Sequence, residues 1–132
     1  MKLSTRFALV GIGALAALSM VQHARTKHYE EPESVVYLLG VLPNLAAAVA
    51  IPFVLLSVWA DQESVASYPS IRRRFFILSF VAGVGLIVWE FMQSSSRSLH
   101  YDNHDIGATI LGLFLGWMFF ALIMSYSHLS EI

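Results

Sequence analysis

Four long apolar runs leave this chain little choice of architecture: Phe7 to Val21, Val35 to Ala60, Phe75 to Met92 and Ile106 to Tyr126. A helix crosses the roughly 30 Å hydrocarbon layer with about 20 mostly apolar residues, so each run reads as a span or nearly one. The predicted fold class is all-α, an integral membrane four-helix bundle forming one domain over residues 1–132. Its helices are expected over about 5–22, 35–60, 73–95 and 105–127. Composition agrees: 57% of the 132 residues are apolar and 13% are charged, against about 25% charged in a typical soluble domain. Disorder, which needs low hydrophobicity and high net charge, is excluded.

The first run, preceded by Lys2 and Arg6, also resembles a signal peptide with small residues near its end at Ala17-Leu18-Ser19. Its apolar sequel favours a retained helix. A net charge of −1 carries no basic excess that would suit nucleic acid, and the absence of cysteine excludes disulfides, thiolate metal sites and thiol nucleophiles. No phosphate-cradling glycine loop, nucleophilic serine with a placed base or complete metal-ligand set stands out, so no cofactor is expected.

Lys and Arg in short loops set orientation. With the N-terminus inside, Lys2, Arg6, Arg72, Arg73 and Arg74 share the inner side, and Arg25, Lys27 and Arg97 the outer. A multi-pass membrane protein with both termini cytoplasmic is expected. Trp59, Tyr68 and Phe75 are then expected as anchors at the inner interface, and Tyr29, Tyr37 and Tyr101 at the outer. The first and third loops gather His23, His28, Glu30, Glu31, Glu33, Arg97, His100, Asp102, His104 and Asp105 on the extracytoplasmic face.

Inside lipid, apolar side chains do not drive helices together, so small residues and polar bonds between helices matter. Ala108, Gly112 and Gly116 recur every four residues in the fourth helix and form a groove for another helix. That helix is either one of the same chain or the partner in a homodimer through Gly112 and Gly116. Gly83 and Gly85 are expected to serve the third helix similarly. Pro43 and Pro52 interrupt the backbone bonding of the second helix and predict a kink. Asn44 either satisfies a freed carbonyl or bonds across to another helix.

Of the eight basic and nine acidic side chains, all but Glu90 fall at termini, loops or helix ends. Ionisable residues within a span are rare and mark a cavity or a partner. Gly83, Glu90, Gln93 and Arg97 fall on one face of a 3.6-residue period, which makes Arg97 the expected partner of Glu90. Asp105, just before the fourth run, is expected to be its N-cap. Tyr101-Asp102-Asn103 reads as a turn, which puts His100 and His104 in a solvated loop.

Trp89-Glu90-Phe91-Met92-Gln93, then Arg97, Asp102, Asp105-Ile106-Gly107-Ala108-Thr109 and Gly112, resembles the VanZ-like family of small bacterial membrane proteins. That family is named for an accessory protein of teicoplanin resistance. Its pattern of Glu-x-x-Gln, a loop with Arg and Asp, and an Asp opening a Gly-rich last helix is met in order by Glu90, Gln93, Arg97, Asp102, Asp105 and Gly112. The family often has Asn where this chain has Thr109, and its second helix spaces Asn, an aromatic, Pro and Gly more closely than Asn44, Ala48 and Pro52.

Three functions follow as expectations. The first, implied by the resemblance, is an accessory protein of the cell envelope. It uses Glu90, Gln93, Arg97, Asp102, Asp105 and Asn44 to bind a lipid-linked precursor or a glycopeptide at the outer membrane boundary. The second is a membrane enzyme with Glu90 as acid and Asp105 as its partner carboxylate. The third is a structural or partner-binding membrane subunit with the polar cluster as internal glue.

Overall fold

Each apolar run becomes one helix in a computed structural model that describes residues 1–27, 32–63, 65–95 and 103–130. The helices are α1 (Leu3–Thr26), α2 (Glu33–Gln62), α3 (Tyr68–Ser94) and α4 (Asn103–Ser130). All four are long and apolar enough to cross a membrane, so the chain is a multi-pass, all-α bundle.

The helices overrun the apolar runs because their ends are set by backbone signals rather than by hydropathy. α3 begins at Tyr68, not near residue 73. Ser67 is extended, Pro69 stands in the first turn, and the Ile71 N–H donates to the Ser67 carbonyl at 3.0 Å. Proline suits that first turn because its missing N–H has no intrahelical acceptor there. Arg72, Arg73 and Arg74 therefore lie inside α3. α2 likewise starts just after Pro32, and α1 continues through polar residues to Thr26, whose hydroxyl donates to the His23 carbonyl at 2.7 Å. α2 runs as one helix through both Pro43 and Pro52.

α2 is the axis of the bundle and packs against α1, α3 and α4. Small residues set its close contacts. A methyl added at Gly11 of α1 would stand 2.8 Å from the Val54 side chain, and one at Gly112 of α4 would stand 2.5 Å from the Leu45 carbonyl oxygen. The seam at Gly112 is thus filled by α2 of the same chain. Gly83 faces Leu113 of α4, but Gly85 faces open space and takes no part in close packing.

One phenylalanine from each helix meets in a single hub. Phe75 stacks on Phe120 with ring centroids 4.3 Å apart, Phe7 lies 6.1 Å from Phe120, and Phe53 lies 6.0 Å from Phe7 and 5.6 Å from Phe75. Val49, Leu56, Ile71 and Met124 complete this core. Phe75, expected as an interfacial anchor, is instead buried in it, because α3 starts a turn earlier and carries that residue inward.

Beside the hub lies what we call the basic end. There Ser4 donates to Asp61 and Arg6 to the Ser127 hydroxyl, each at 3.3 Å. The guanidinium of Arg74 lies 5.3 Å from the Trp59 ring and that of Arg72 lies 5.7 Å from Phe76. At the far end small residues replace aromatics: Ala46, Ala48, Ala82 and Ala108 are all buried.

Candidate polar site at the far end of the bundle

The sequence places one carboxylate in an apolar span, and the fold encloses it. Glu90 lies four residues before the end of α3 and is 3% exposed. Seven residues separate it from Gly83, two turns of helix, so both face inward. Gly83 lets α4 approach at Leu113, and Glu90 then faces α2.

Its partner there is Asn44, whose side-chain N–H donates to Glu90 Oε1 at 2.9 Å. Of the two roles open to Asn44 in the sequence, the structure selects the bond to another helix. The remaining carboxylate oxygen, Oε2, is buried and has no hydrogen-bond partner among the described residues. Arg97, the partner expected from the helical face, lies outside the described residues, as does Asp102.

Thr109 of α4 joins this level of the bundle. It is fully buried, and its hydroxyl donates to the Asp105 carbonyl one turn earlier at 3.0 Å. α2 and α4 run in the same direction, with Gly112 against Leu45 and Ala48 and with His104 against Tyr37. That register sets Thr109 level with Leu42, within a turn of Asn44. The sequence marks Thr109 only as a departure from a family pattern. Its position three residues before Gly112, on the same helix face, is the signal that identifies it as buried.

The other expected residues sit around this centre. Gln93 is half-buried, one turn beyond Glu90, and its backbone carbonyl accepts from the Ser95 N–H. Asp105 is half-buried within the first turn of α4 and is not its N-cap, because the helix already begins at Asn103. Its charge still suits that helix end, where backbone N–H groups point outward. His104 belongs to the same helical turn rather than to a loop. Its Nδ1 lies 2.9 Å from the Tyr37 hydroxyl, with the two rings edge to face. His100 lies outside the described residues.

A buried carboxylate with one satisfied oxygen has a defined capability. It accepts a hydrogen bond, or a cationic group, from whatever reaches Oε2, and buried polar atoms of this kind are normally paired. Among the described residues no group of three metal-ligating side chains comes together. No protein-family model, curated protein or solved structure matches the chain.

Proposed function

We propose that this chain is an accessory membrane protein of the bacterial cell envelope, of the VanZ-like kind. In this reading the Glu90–Asn44 site takes a donor group of a lipid-linked envelope precursor or a glycopeptide at the extracytoplasmic boundary. The observation that carries it is Oε2 of Glu90, a buried acceptor with no hydrogen-bond partner among the described residues. Ionisable residues within spans are rare and mark functional pathways or partners. In this reading Gln93 and Asp105, both half-buried, contribute further polar groups to the site. Arg97 and Asp102, which the resemblance adds, supply a planar cation for a phosphate or carboxylate and a second acidic group. Support for the chemical class comes from the order Glu90, Gln93, Arg97, Asp102, Asp105 and Gly112 in the sequence.

The test separates binding from scaffolding. Glu90→Gln keeps an acceptor for Asn44 and removes the charge. In the host cell, loss of the gene should change sensitivity to a teicoplanin-type glycopeptide. Complementation with Glu90→Gln or Arg97→Ala should fail while the membrane abundance of each variant equals that of the parent. Unaltered sensitivity on loss of the gene, or full complementation by both variants, would refute the assignment. A failure that tracks falling abundance would assign the cluster to internal glue instead.

A further inference from the structure

Two apolar hollows open between α1 and α4. One, of about 350 Å³, is lined in part by Gly13, Ala17, Leu45 and Leu115. The other, of about 380 Å³, reaches the basic end at Arg6, Leu122 and Tyr126. Leu9, Val10 and Phe119 line both, so the two hollows join into one groove along the α1–α4 cleft. Its origin is local: Gly11 ties α1 to α2 at Val54, while Gly13, Ala14 and Ala17 are too small to fill the side facing α4.

Length and charge identify the occupant. From Arg6 to Ala17 the groove follows α1 for eleven residues, about 16 Å at 1.5 Å per residue, which is close to one leaflet of a hydrocarbon core of about 30 Å. Arg6 marks the surface end. It is half-buried, it gives one N–H to Ser127, and among the described residues no carboxylate pairs with it. Lys2 is exposed one turn before it. A guanidinium has five donors in a planar fork that fits phosphate, so further donors remain for a ligand.

We propose that this groove is a binding site for one anionic phospholipid. An acyl chain lies along Val10, Gly13 and Leu115, and the headgroup phosphate rests on Arg6. The lipid thereby fills the space that α1 and α4 leave between them, and it does so independently of the polar site at the far end.

Native mass spectrometry of the full chain, released from mild detergent containing equal amounts of phosphatidylglycerol and phosphatidylcholine, tests this. The parent should retain one phosphatidylglycerol. Arg6→Gln should reduce the preference over phosphatidylcholine about fivefold, the equivalent of about 1 kcal/mol per basic side chain at an anionic lipid surface. Gly13→Phe should displace the lipid altogether, since a side chain built at Gly13 meets nothing within 4 Å and enters the groove. Arg73→Gln, an exposed charge at the same end, should change neither quantity. Absence of a retained lipid in the parent, equal retention of phosphatidylcholine, or equal loss in Arg73→Gln overturns the proposal. So does a dimer that Gly13→Phe abolishes, which would give the groove to a second copy. Should Gly13→Phe fail to reach native helicity, the comparison of Arg6→Gln with Arg73→Gln decides alone.

Discussion

Asn44 donates to Glu90 Oε1 across two helices, and truncating Asn44 leaves the buried carboxylate without that bond. The cost of that orphan is larger than the net worth of the bond itself. Asn44→Leu should therefore lower the unfolding free energy by about 1–3 kcal/mol. Asn44→Leu combined with Glu90→Leu should recover most of the loss, because two apolar groups in contact leave nothing unsatisfied. Reversible unfolding in mixed micelles measures both, and a double variant as unstable as the sum of the singles would contradict the pairing. Glu90 is legible in the sequence because a carboxylate inside an apolar run has no solvated alternative. Its partner is not. The bond to Asn44 depends on the register between α3 and α2, which no local pattern encodes.

Helices are where the sequence is most informative, and their ends are where it is least. Hydropathy locates all four spans, since only length and apolarity are needed. It misplaces the start of α3 because the signal there is Pro69 after an extended Ser67, a backbone matter. Glycines show the same division. The small-residue spacing in α4 correctly marks a close approach, yet nothing in the sequence separates Gly83 from Gly85, which lie two residues apart on different faces. Two substitutions distinguish packing from propensity. Gly112→Ala puts a methyl 2.5 Å from the Leu45 carbonyl oxygen and 2.8 Å from the Ala48 side chain. Forcing α2 and α4 apart should cost about 1–3 kcal/mol, as overpacking does elsewhere. Gly85→Ala meets nothing within 4 Å, and alanine is the better helix former, so its melting temperature in detergent should equal or exceed that of the parent. A Gly112→Ala protein as stable as the parent would mean that α4 does not approach α2 so closely.

Across the whole molecule, the bundle is closed by aromatic packing at the basic end and by small and polar residues at the far end. The hub of Phe7, Phe53, Phe75 and Phe120 cannot be read from the sequence. Helices that are apolar all round show no core-facing stripe, and Phe76, Phe80, Phe114 and Phe119 look identical to the hub members there. Those four are substantially exposed at the periphery. In lipid the transfer term contributes little between helices, and packing carries the stability. Phe75→Ala should thus cost mainly its cavity: at about 24 cal/mol per Å³, a void on the order of 100 Å³ amounts to about 2–3 kcal/mol. Phe80→Ala, at a 72% exposed position, should leave the unfolding midpoint within error of the parent, and equal losses in the two variants would deny the hub its role. The Asn44–Glu90 bond has a temporal consequence as well. Its members lie 46 positions apart, and at about 5–20 residues per second of synthesis the second emerges on the order of 2–9 s after the first. During that interval α1, already tied to α2 at Gly11 and Val54, is the only completed neighbour. Asn44 therefore precedes its carboxylate partner into the bundle, and the bond that joins α2 to α3 forms only after α3 has followed.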